Sequence, residues 1–155
     1  MNVIPVEVSS SAIRKTLALL RRAGLRETVL LWLGREAAEV QRIVDVYRPI
    51  QHGAVDYFEI PRKGMAALMD RLRTQGLHVV SQVHTHPKEA FHSFADDKWA
   101  IVRHVGALSI VVPNFAKSTN VDNFLHEAAV YRLDASNRWN RVAQELLPNE
   151  LQIRS

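Results

Sequence analysis

The chain has 155 residues, about one domain's length, of which 47% are hydrophobic and 23% charged, a balance that fits a folded globular protein with one core and excludes a disordered chain. Twenty Lys and Arg against sixteen Asp and Glu give a formal charge of +4, but the basic residues are spread along the sequence, so charge alone does not point to nucleic acid. There is no cysteine, which rules out disulfides, thiolate zinc sites, iron–sulfur clusters and cysteine nucleophiles, and leaves the chemistry to His, Asp, Glu and Ser. No run of about 18 apolar residues occurs and the first residues lack a basic segment followed by an apolar one, so a soluble, cytoplasmic protein is expected.

Residues 3–8 alternate as in a short strand, and Pro5 marks it as an edge. Ser9, Ser10 and Ser11 offer N-caps to a helix over 12–23. There Ile13, Leu17 and Leu20 recur at helical spacing, Arg14, Lys15, Arg21 and Arg22 take the other face, and Gly24 follows as a C-cap. Residues 27–34 are a near-continuous apolar run headed by Glu27, the pattern of a strand buried on both faces. Residues 40–50 resume a strand pattern and should form a hairpin with it, and 57–60 read as another short strand.

Pro61 suits the first turn of a helix that Met65, Leu68, Met69 and Leu72 carry to Gly76, after which 77–83 read as a strand leading to His84 and His86. A further helix is expected from near Ser93 through Trp99 and Val102 to about Val105, closed by Gly106. Residues 108–112 are a buried strand ended by Pro113, and 114–123 have loop composition and are the one stretch expected to be mobile. The segments 126–134 and 139–142 read as a closing hairpin, and the tail from Gln144 is weakly specified. With no repeat or linker, the alternation of strands and helices predicts one α/β domain over 1–155, a mixed sheet with flanking helices.

The segment from Ser81 to Asp97 reads as a metal site. Side chains alternate along a strand, so His84 and His86 point to one face and can converge on one cation before Pro87 ends the extended segment. Ser93 can N-cap a helix, and Asp96, three residues on, would lie in its first turn, from where a carboxylate can close on the imidazoles. Two imidazoles and one carboxylate leave a coordination position open, as in catalytic zinc sites. Hydrolysis also needs a proton acceptor, and the candidate is Glu27, an isolated carboxylate at the mouth of an apolar strand.

Taken together, Glu27 opening an apolar strand, His84-Thr85-His86-Pro87 and Ser93-Phe94-Ala95-Asp96 resemble the JAB/MPN/Mov34 metalloprotease family, also called the JAMM family. The order of predicted elements extends the resemblance over most of the chain. It implies a cytidine-deaminase-like α/β fold, a zinc ion held by His84, His86 and Asp96, Glu27 as general acid and base on the zinc-bound water, and Ser93 hydrogen-bonding the oxyanion of the tetrahedral intermediate. One zinc per chain is expected, because no cysteine and no second histidine cluster offer a structural site. The family's usual spacing leaves ten residues between the second histidine and the aspartate, which fits Asp97. Asp96 is preferred because the Ser-x-x-Asp interval is fixed by one helical turn while the preceding loop can absorb a deletion.

The resemblance further implies cleavage after the C-terminal tail of a ubiquitin-like protein or its conjugate. Compact bacterial members with a Phe-His-Ser-x-x-Asp-Asp run occur beside E1-like and E2-like enzymes, including those of antiphage defence operons, so such enzymes are the expected partners. Two other readings are processing of a sulfur-carrier-type ubiquitin-like precursor and a non-catalytic scaffold domain, the latter opposed by the intact ligand set. A nucleic-acid role, as in RadC-like proteins, rests on the basic charge alone, and no membrane partner is expected. Zinc deaminases use a cysteine-containing ligand set with His-x-Glu, and neither is present. His52, His78, His92, His104 and His126 lack ligand spacing and read as surface or satisfied residues, while Trp32, Trp99 and Trp139 read as core.

Overall fold

A computed structural model describes residues 3–35, 37–93, 96 and 100–155; Asp97 and Trp99 lie outside the described residues. Strand β1 (Val6–Ser9) starts just after Pro5 and is not the edge that the proline suggests. Pro5 stays outside the ladder, its carbonyl accepting the Gln41 N–H at 2.9 Å, and β1 runs parallel to a strand on each side, β3 (Gln41–Tyr47) and β10 (Leu151–Arg154). The edge is β10. It comes from the weakly specified tail, which is anchored by Leu147 in the short helix α4 (Leu147–Glu150) and by Leu151, both buried in the core.

Helix α1 (Ser10–Arg22) is capped by Ser9, whose Oγ accepts the Ala12 N–H at 3.0 Å. Its buried stripe of Ile13, Leu17 and Leu20 packs on Leu30 and Trp32 of β2 (Val29–Arg35). The alternate β2 residues Val29, Leu31 and Leu33 face the other layer, where Leu68, Met65 and Leu72 of α2 (Arg62–Gln75) cover them. This two-sided burial is why the β2 sequence is almost continuously apolar. Pro61 is the N-cap of α2 rather than part of its first turn, and Met69 lies outside the buried stripe, 60% exposed.

β2 pairs antiparallel with β3, as the hairpin pattern predicts, and antiparallel with β6 (His78–Thr85). β6 continues in parallel to β7 (Leu108–Val112), then antiparallel to β8 (Ala129–Leu133) and β9 (Trp139–Arg141). The mixed sheet has eight strands in the order β10-β1-β3-β2-β6-β7-β8-β9. A separate small ladder joins β4 (His52–Gly53) to β5 (Phe58–Glu59), the latter all that remains of the strand expected over 57–60.

Three further expectations need correction. The helix expected to reach Val105 does not: residues 100–105 are non-helical, because buried Gln82 of β6 captures the Ile101 N–H at 2.9 Å, and Gly106 (φ +89°) instead makes the turn into β7. The 114–123 segment is packed rather than loose. A 3-10 turn (Asn114–Ala116) buries Phe115 and Ala116, and Arg21 Nε donates to Ala116 O at 2.9 Å. The strand expected over 126–134 starts at Ala129, because α3 (Phe124–Glu127) precedes it and stacks Phe124 on Trp32, ring centroids 6.2 Å apart. Trp32 is core as expected, whereas Trp139 is half-buried beside His92. Among the described residues, no helix is long and apolar enough to cross a membrane.

Candidate metal centre

The end of β6 delivers His84, opposite Val29 of β2 and against the Phe58 ring. His86 lies just past the strand yet keeps its direction, because the backbone holds it on both sides: its N–H donates to Val112 O at 3.0 Å and its carbonyl accepts the Phe115 N–H at 2.9 Å. Phe115 makes that bond from a left-handed turn, with Asn114, Phe115 and Ala116 at φ 52°, 49° and 64°. For L-residues such backbone costs roughly 1–2 kcal/mol each, so the turn persists because other contacts fix it. Arg21 supplies two, from Nε to Ala116 O and from a terminal guanidinium nitrogen to Thr119 O.

Asp96 arrives from the other direction through a reciprocal cap. Ser93 Oγ accepts the Asp96 N–H at 3.1 Å, and Asp96 Oδ2 accepts the Ser93 N–H at 2.7 Å. The carboxylate thus sits with Oδ1 at 3.1 Å from His84 Nε2 and Oδ2 at 2.9 Å from His86 Nε2. His84, His86 and Asp96 are all buried, and each offers a ligand atom within 4.8 Å of the others. Among the described residues neither ring nitrogen of His84 has a well-formed hydrogen-bond partner, although Asp96 Oδ1 approaches Nε2. An unpaired buried nitrogen costs about 1–3 kcal/mol, so the cluster fits a cation that takes the lone pair. Two imidazoles and a carboxylate suit a divalent transition metal.

Burial alone would raise the Asp96 pKa, but His84, His86 and the Ser93 N–H outweigh it and hold the carboxyl well below its usual range. Burial lowers His86, yet Asp96 and Glu27 beside it reverse the sign and leave it raised. Glu27 Oε1 stands 3.9 Å from His86 Nε2, next to the cluster but outside it. Burial pushes its pKa up to about 7, with Asp96 and Asp56 adding and His86 opposing. A carboxyl of that affinity exchanges a proton readily near neutrality.

Residues 9–144, a span containing all five candidate site residues, match the family model described as prokaryotic homologs of the JAB domain. This chain belongs to the prokaryotic JAB family. The JAB chain is 34% identical over 144 residues to a protein of Sinorhizobium fredii named "Probable metalloprotease y4jG", an alignment covering 89% of this chain and 87% of that one. Its fold also matches the solution structure of protein DSY2949 from Desulfitobacterium hafniense, with a TM-score of 0.70 over 97% of this chain and 93% of the other. At 14% identity that likeness concerns the fold alone.

Two residues that no sequence motif marks hold the candidate site in place. The β2–β3 register that pairs Leu31 with Tyr47 would place Pro49 opposite Val29, and a proline has no N–H to give. Gln51 supplies the missing groups: its Nε2 donates to Val29 O at 2.9 Å and to Pro49 O at 3.1 Å, and its Oε1 accepts the Val29 N–H at 2.8 Å and the Thr28 hydroxyl at 2.9 Å. Gly53 lets β4 lie against Glu27, since a Cβ there would come within 2.4 Å of Glu27 O. The neighbouring Ala54 carbonyl accepts the Glu27 N–H at 2.6 Å. The signal available in the sequence was Pro49 itself, a residue without a donor inside a strand pattern.

Proposed function

We propose that this JAB domain is a zinc metalloprotease, and that it acts as an isopeptidase or peptidase cleaving after the C-terminal tail of a ubiquitin-like protein. The observation that carries the hydrolytic reading is the buried convergence of His84, His86 and Asp96 with Glu27 Oε1 3.9 Å from His86 Nε2. His84, His86 and Asp96 would hold the zinc, which when bound acidifies a water to a pKa of about 7 and polarises a carbonyl. Glu27 takes the proton of the attacking water on its carboxylate and returns it to the leaving nitrogen. The Ser93 hydroxyl accepts from the Asp96 N–H and so keeps its own hydrogen for the oxyanion of the substrate.

The name of the Sinorhizobium relative supports proteolysis. The choice of a ubiquitin-like substrate rests on the resemblance to the JAMM family, and that of E1-like and E2-like partners from a bacterial defence operon on the similarity of the Phe-His-Ser-x-x-Asp-Asp run to compact bacterial members. The test is hydrolysis of a ubiquitin-like protein fused through its tail to a reporter, using zinc-loaded protein with and without a chelator. Zinc-dependent release at the tail junction is expected. Absence of release with protein that binds zinc stoichiometrically would leave the processing of a sulfur-carrier-type precursor or a non-catalytic scaffold.

A further inference from the structure

A second feature adjoins Glu27. A cavity of about 580 Å3 has buried Glu27 and Thr28 in its wall and exposed Arg22, Arg26, Arg48 and His52 around it; none of His84, His86 and Asp96 lines it. Its arginines come from three separate places, the last residue of α1, the turn before β2 and the residue after β3.

Six other basic residues have carboxylate partners among the described residues: Arg42 and Arg154 bind Glu7, Lys15 and Arg71 bind Asp45, Arg73 binds Asp70, and Arg132 binds Glu150. Arg22, Arg26 and Arg48 make no ion pair or side-chain hydrogen bond among the described residues, and Glu27 is the one carboxylate in the cavity lining. The result is a concentration of uncompensated guanidinium groups beside the proton-transfer residue.

Which part of a substrate lies there follows from the chemistry. The group that gives a proton to the leaving nitrogen must reach it within hydrogen-bonding distance, so the amine half of the substrate is the half next to Glu27. A cavity walled by Glu27 therefore extends from that half. Its volume is in the range that encloses a small ligand, which suits about one or two side chains better than a run of phosphates along a strand. Guanidinium groups pair with carboxylates through charge-assisted, often bidentate, hydrogen bonds.

We propose that this cavity is a specificity site for the leaving half of the substrate, binding the carboxylate of an acidic residue that directly follows the scissile bond. The assignment of sides rests on the hydrolytic reading above; carboxylate binding does not. The test uses the full chain and two peptides identical except that a Gly-Gly pair is followed by Asp-Glu in one and by Asn-Gln in the other. Binding is read by NMR titration at low and high salt, and cleavage of the same peptides by zinc-loaded protein is read separately.

The acidic peptide should bind about tenfold more tightly at low salt, with the advantage shrinking as salt rises. In the Arg26→Gln/Arg48→Gln double variant the ratio of acidic to neutral kcat/KM should fall towards one, mainly through KM. Both arginines are exposed, so thermal unfolding of the variant should match the parent. Preference in binding without cleavage keeps the carboxylate site and fails the peptidase reading. Cleavage without preference overturns the site and keeps that reading. Tighter binding of a single-stranded DNA oligonucleotide that displaces the acidic peptide, and is lost in the same variant, overturns it in favour of phosphate.

Discussion

Replacing Gln51 by Leu removes the side chain that closes the sheet beside Val29. Val29 is fully buried, so water cannot stand in for the lost amide. Its N–H loses an acceptor at 2.8 Å and its carbonyl a donor at 2.9 Å. Each stranded buried group costs about 1–3 kcal/mol, and the pair therefore costs about 2–6 kcal/mol. For a chain of this length, at about 2–4 °C per kcal/mol, that corresponds to a fall in Tm of about 4–24 °C. Thermal unfolding followed by circular dichroism reads the total, and hydrogen exchange at the Val29 amide reads the location. Because Glu27 lies two residues before Val29, hydrolysis should decline already at temperatures where the variant is fully folded. A Tm within about 2 °C of the parent together with unchanged Val29 protection would refute the claim that Gln51 replaces the donor missing from Pro49.

Four further outcomes are expected. Glu27→Gln should keep the metal, since Glu27 is not among the converging ligand atoms, and lose about 10²- to 10⁴-fold in hydrolysis; turnover near the parent rate would remove Glu27 from proton transfer. Asp96→Ala should weaken zinc binding severely while Asp97→Ala retains it, because on the helix that the sequence predicts from Ser93 consecutive residues would point about 100° apart; the opposite order in a zinc-affinity titration would assign the ligand to Asp97. Metal analysis of the purified chain should give one zinc, and chelation should abolish hydrolysis while leaving far-UV circular dichroism intact; two tightly held zincs would contradict the single site. The proton on His86, held more tightly than on an ordinary imidazole because Asp96 and Glu27 outweigh its burial, competes with the cation for the same nitrogen. Zinc affinity should therefore be full above the raised His86 pKa and weaken as pH falls through it, and an affinity flat from about pH 8 to 5.5 would exclude this competition.

Much of the site was legible because its parts are local. A two-residue interval on a strand fixes the common direction of His84 and His86, and a three-residue interval fixes the reciprocal cap of Ser93 and Asp96. The continuous apolar run of β2 announced a strand with a layer on each face, and α1 and α2 supply those layers. Periodicity and capping depend on neighbours within a few residues, so sequence alone determines them. The resemblance carried by these spacings led to the family that the match over residues 9–144 shows.

What the sequence could not decide depends on residues far apart in the chain. β1 is interior because the last residues return to pair with it, Val6 against Leu151, although Pro5 suggests an edge. The 114–123 segment has loop composition, yet Arg21, about a hundred positions earlier, fixes its carbonyls and through them the turn that holds His86. Where a helix is expected to reach Val105, Gln82 takes the Ile101 N–H, a competition visible only once the two are adjacent. Arg22, Arg26 and Arg48 look dispersed along the sequence and share one cavity in the fold. In each case the deciding term is a hydrogen bond or charge between segments that meet only after the sheet has formed, and no local pattern of side chains encodes such a meeting.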